Sequence, residues 1–155
     1  MVNLYNPINN NLEMMDSLKN IFGINQGAAS VDVALLVLRV TIGILMLKHG
    51  IPKVKKLLSP EPIHFFSTFG LSERNSLIAA AFVEVFFSSL LILGLGTQLT
   101  VIPLLFTMII AAFHTLKSQP YDKKEVPILF LLIYITILFS GSGKFSLDYV
   151  IFGLK

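Results

Sequence analysis

The chain has 155 residues, of which 54% are hydrophobic and only 14% charged, and its mean hydropathy is +0.77. An ordinary soluble domain is about a quarter charged, so the composition argues against one and points to a lipid environment. With no Cys the chain cannot itself run thiol–disulfide chemistry or bind a thiolate-ligated metal, and with no Trp any aromatic belt falls to Phe and Tyr.

Residues 1–10 are Asn-rich, carry Pro7 and read as a loosely held tail. A secretory signal peptide is not expected, because the start lacks a basic region and Glu13 and Asp16 interrupt the apolar run. Leu12, Met15, Leu18 and Phe22 share one helical face. That spacing predicts a short amphipathic helix over 11–22, lying on the membrane surface or capping the bundle end. Residues 1–30 thus form a tail and interfacial helix, and 31–155 a membrane domain.

Four apolar stretches follow, over Val31–Gly50, Ser76–Leu95, Gln98–His114 and Val126–Ser140. A spanning helix needs roughly 17–25 residues. The fourth is short, but Lys124 and Glu125 can snorkel at its start, and the chain after Ser140 can finish the crossing. Gly94 and Gly96 predict a tight hairpin between the second and third stretches. Pro103 predicts a kink, and Pro127 is placed near the first turn of its helix. The fold expected is all-α: an integral membrane four-helix bundle with a short N-terminal amphipathic helix, its main partner the lipid bilayer.

The net charge of +3 is unevenly placed. Lys48, Lys53, Lys55, Lys56, Arg74, Lys117, Lys123 and Lys124 border the first and third loops, whereas Lys19, Lys144 and Lys155 lie on the other side. The excess of basic residues puts those two loops in the cytoplasm and both termini outside it.

Two charges fall inside apolar stretches. Arg39 lies midway along the first and Glu84 midway along the second. Each costs ~2.5–3.5 kcal/mol at the bilayer centre, so each should face the bundle interior and find a partner. Counted from opposite faces at ~1.5 Å per residue, both lie about 12 Å deep in a layer about 30 Å thick. An Arg39–Glu84 pair is therefore expected, either fixing helix register or lining a ligand site. Around it, Asp32, Arg39, Gly43 and Gly50, then Ala80, Glu84 and Ser88, then Thr100, Thr107, Ala111 and His114 form weakly polar stripes. His49 and His114 end the first and third helices on one face, near Glu125. Two His and a carboxylate suit a metal, and two His suit haem, but neither His has close ligand spacing, and binding to terminal carbonyls is the more usual role. The candidate ligand-binding seam comprises Arg39, Glu84, His49, Lys53 and His114, with no metal assigned.

After Ser140 come Gly141, Gly143, Ser146 and Asp148. The glycines permit a sharp turn, and Ser146 is placed to cap a last short helix with Asp148 in its first turn. The alternative is a lid in which Lys144 and Asp148 close one mouth of the bundle. No phosphate-binding, dinucleotide, hydrolase or nucleic-acid motif is present.

Taken in order, these residues form a pattern. Leu38-Arg39-Val40, the ending His49-Gly50-Ile51-Pro52-Lys53, then Phe82-Val83-Glu84 before Leu93-Gly94-Leu95, and the tail Gly141-x-Gly143-x-x-Ser146-Leu147-Asp148 together resemble the DoxX family over about residues 31–150. The resemblance implies a four-helix bundle of a bacterial cytoplasmic membrane. Some members are subunits of thiosulfate–quinone oxidoreductases, and others associate with redox or oxidative-stress partners. Cysteine-bearing members of the wider superfamily suggest thiol work, from which this chain departs. Three functions stay open: a quinone-linked subunit with a redox protein partner, a non-enzymatic scaffold or assembly factor, and a small-solute transporter that would need a homo-oligomer to make a pathway.

Overall fold

A computed structural model of the chain describes residues 11–15, 17, 27–68 and 70–153. Among them the only regular structure is helical. Residues 11–15 and 17 are helical, with Leu12, Met14 and Met15 each more than half exposed; the rest of the expected amphipathic helix, including Leu18 and Phe22, lies outside the described residues.

Four long helices make the bundle: α1 (Ala28–Leu58), α2 (Glu73–Leu93), α3 (Thr97–Thr115) and α4 (Tyr121–Ser140), followed by the short α5 (Leu147–Phe152). Local chemistry sets their ends. The Ser72 hydroxyl accepts from Asn75 N–H (3.3 Å) and starts α2, with Glu73 in its first turn. Gly94 and Gly96, both left-handed, close the α2–α3 hairpin as expected. Pro120 precedes α4, so that helix starts earlier than its apolar run and Pro127 sits in the second turn, not the first. α1 also outruns its apolar stretch, continuing through Pro52 to Leu58.

α1, α2 and α3 are each long and apolar enough to cross a membrane. α4 has 20 residues, with Asp122, Lys123, Lys124 and Glu125 in its first turns and an apolar remainder. The four pack in a ring, α1 on α2, α2 on α3, α3 on α4, and α4 back on α1. Ile42, Met46, Leu91, Val101, Leu104, Met108, Phe130, Tyr134 and Ile137 fill the middle. Meanwhile Val37, Ile44, Phe82, Phe106, Leu132 and Phe139 stand exposed on the outside. An apolar exterior around a core that also encloses the charged Arg39 and Glu84 suits a bundle solvated by lipid, and the molecule is an integral membrane helical bundle.

The α1–α2 register is set by small residues. A Cβ on Gly43 would lie 2.5 Å from Ile92 Cγ1 and 3.2 Å from the Ser88 carbonyl. One on Gly50 would lie 2.8 Å from Val85 Cγ2 and 3.0 Å from Glu84 Cβ. The two backbones can approach this closely only where α1 carries no side chain.

Two stretches depart from α geometry: Val83–Phe87 in α2 and Ile110–Thr115 at the end of α3 are π-helical. Such widened turns shift side chains out of their α-helical positions and recur at functional sites.

Candidate functional site

The register separates the two buried charges. With Gly50 against Glu84 and Gly43 against Ser88, the α2 residue beside Arg39 is Gly94, whose Cβ would lie 2.7 Å from Arg39 Cζ. Glu84 is ten residues from Gly94, about 15 Å along the helix. The expected Arg39–Glu84 pair does not form. Depth counted from the ends of the apolar runs assumes that the helices start flush, and α1 instead runs on to Leu58.

At its own end of the bundle Arg39 is 2% exposed. It donates from Nη1 to the Ser142 carbonyl and from Nη2 to the Phe145 carbonyl, the latter at 2.6 Å. The segment it holds is the glycine-rich tail. Ser146 caps α5, accepting from Tyr149 N–H (3.2 Å) while donating to the Gly143 carbonyl (2.7 Å). Asp148 accepts from the backbone N–H of Gly96 (2.6 Å) and Thr97 (2.9 Å), which places its charge on the N-terminus of α3. Asp32 accepts from Lys144 N–H (3.0 Å), with the Lys144 ammonium 3.8 Å away. A cavity of about 550 Å³ lies beside this latch, lined in part by Asp32, Thr97, Lys144 and Asp148. Ser146 is the expected cap of α5; Lys144 and Asp148 border the cavity. The chain after Ser140 does not prolong α4; it turns back onto Arg39.

Near the opposite end, Glu84 lies in the π-helical turn of α2 and is 3% exposed. Both of its carboxylate oxygens accept from Lys53 Nζ, and the Lys53 side chain is 24% exposed. Lys53 is available because α1 continues past Pro52. The pair borders a cavity of about 430 Å³ whose other walls are mainly apolar, among them Ala80, Val83, Phe106, Ile110 and Ala111. Phe65 and Phe66, from the segment between α1 and α2, also line it. That segment is fastened at its edges: Phe65 N–H donates to Glu73 Oε2 (3.1 Å), Thr68 N–H to Ser76 Oγ (3.1 Å), and Lys56 Nζ to the His64 carbonyl.

Of the five seam residues, the structure brings together Lys53 and Glu84. Arg39 belongs to the latch. His49 is exposed, its ring edge-on to Phe130 at 5.7 Å between centroids, and His114 is exposed at the end of α3. Among the described residues, no three His, Asp or Glu side chains converge in a way that would hold a metal. The sequence reading passes over Tyr134, the single Tyr in the fourth apolar stretch, which is fully buried with its hydroxyl unpartnered, as is the hydroxyl of Ser88. A lone phenol in an apolar run is the signal that marks it.

Comparison with known proteins agrees with this architecture. The sequence profile of the DoxX family matches residues 34–116, more than half of the chain. A protein of Bacillus subtilis (strain 168) named "Putative oxidoreductase CatD" is 29% identical over 124 residues, covering 79% of this chain and 90% of that protein. No solved structure gives a significant match.

Proposed function

Because this chain belongs to the DoxX family, we propose that it is a membrane subunit of a redox complex that binds a quinone head group in the cavity at the Lys53–Glu84 pair. The observation that carries the reading is a mainly apolar cavity of about 430 Å³ with one buried ion pair on its wall. Ligand pockets span roughly 300–1,000 Å³ and combine apolar walls with a few placed polar groups, which suits a flat ring bearing two carbonyl oxygens. The oxidoreductase named among its relatives supports a redox setting.

When bound, the quinone supplies the electron acceptor, and a partner subunit carrying the reductant supplies the electrons. The chain's own residues bind and protonate. The Lys53 ammonium donates to both oxygens of the Glu84 carboxylate and, with three N–H donors, can turn toward a ring oxygen. With Lys53 turned to the ring, the Glu84 carboxylate can take up a proton from water reached along the exposed part of Lys53 and pass it on. Ala80 and Ala111 leave the space a ring needs. The excess of basic residues in the loops supports a reading in which this mouth faces the cytoplasm across a bacterial cytoplasmic membrane, with both termini outside.

The competing reading is a scaffold without a redox ligand, in which Lys53–Glu84 only ties α1 to α2. Protein purified in mild detergent is extracted for quinone and titrated with a short-chain quinone analogue. Retained quinone is expected, with binding weakened roughly tenfold or more in Glu84→Gln and lost in Ala80→Leu. Equal affinity in native protein and both folded variants would leave the scaffold reading.

A further inference from the structure

Glu84 is held by Lys53 and is buried within the bundle. Two buried hydroxyls there, those of Tyr134 and Ser88, have no hydrogen-bond partner. Buried polar groups are nearly always satisfied, and where protein supplies no partner an ordered water does so.

The two hydroxyls lie level in the bundle. Counting equally either side of the hairpin residue Leu95, Ser88 lies opposite Ile102. The Gln98 side chain donates to the Leu138 carbonyl (3.1 Å), and four residues on from that contact Tyr134 also lies opposite Ile102. Ser88 follows Glu84 by four residues across the π-helical turn, and both are buried, so the two lie on the inner side of α2. Side chains on a helix lean toward its N-terminus, and α4 begins at the Lys53 end. The Tyr134 ring therefore leans from the level of Ser88 toward that of Glu84, about one helical turn away.

We propose that Tyr134 is a positioning residue for Glu84: its hydroxyl and that of Ser88, joined by an ordered water, hold the inner side of the Glu84 carboxylate. This rests on the quinone reading and gives it a working part. A buried carboxylate whose single partner turned to a ligand would be left bare at high cost. With the hydroxyls behind it, Glu84 stays satisfied while Lys53 turns toward a ring oxygen.

The test is infrared spectroscopy of the full chain in lipid nanodiscs with no quinone added. The Glu84 carboxyl and carboxylate bands are assigned as those lost in Glu84→Gln. In Tyr134→Phe, which keeps the ring and removes the hydroxyl, those bands are expected to shift in frequency, and exchange into H₂¹⁸O is expected to perturb the native protein in the same region. Unshifted Glu84 bands in folded Tyr134→Phe would overturn the proposal. Should that variant not fold, Ser88→Ala gives the same reading: a shift supports the arrangement, and unchanged bands refute it. Because no quinone is present, this result is independent of whether the cavity binds one.

Discussion

The two ends of the bundle both bury charge, but they use it differently. At one end Arg39, Asp32 and Asp148 are engaged by the backbone of the tail and of the α2–α3 hairpin. At the other, Lys53 and Glu84 hold each other beside an apolar cavity, and Lys53 reaches the surface. A charge whose bonds run to carbonyls and helix ends is committed to holding chain segments together. A charge paired with a mobile side chain at a cavity wall can exchange that partner for a ligand. The contrast teaches that an intramembrane ionisable residue has to be judged by the identity of its partners.

The latch should therefore be costly to break and the ion pair cheap. Arg39→Ala is expected to have the largest effect, a loss of ~3–5 kcal/mol, because it removes two charge-assisted hydrogen bonds and leaves the Ser142 and Phe145 carbonyls without their donor. Detergent unfolding curves measure this, and a loss under about 1 kcal/mol would erase the distinction between the ends. Gly94→Ala should follow at about 1–3 kcal/mol, since φ is +67° and the new Cβ would lie 2.7 Å from both Arg39 Cζ and Ser146 Cβ. Thermal melts of this variant beside Gly27→Ala, where nothing lies within 4 Å, isolate the effect. Asp148→Asn keeps an acceptor but removes the charge at the start of α3, and should cost ~0.5–2 kcal/mol by the same assay. Glu84→Gln should be mildest in stability, roughly 1 kcal/mol or less, because Lys53 can turn to water. Its effect should appear in quinone binding instead. A large stability loss in Glu84→Gln would make the two ends alike.

Much of this was legible in the sequence, for reasons that are local. Four apolar runs and the Gly94–Gly96 hairpin are read from composition and spacing alone, and so is the Ser146 cap, whose hydroxyl and target N–H lie three residues apart. Arg39 and Glu84 are conspicuous as charges. Their partners were not legible, because pairing depends on how far one helix slides along another. That slide follows from where Gly43 and Gly50 let α2 approach, and from a helix end two turns beyond the apolar run. Lys53 stands among the seam candidates yet outside the apolar stretch, and its pairing with Glu84 depends on α1 continuing through Pro52. The π-helical turn at Glu84 leaves no mark in the residue pattern.

The hydrogen bonds from Arg39 span 103 and 106 residues of chain. During synthesis the first spanning helix is made long before Ser142 and Phe145 exist to receive its guanidinium. Until the last stretch of the chain emerges, that helix carries a cation with no settled partner in a setting where such a group is costly. A chain cut before Ser142 would therefore leave this guanidinium without the two carbonyls that receive it.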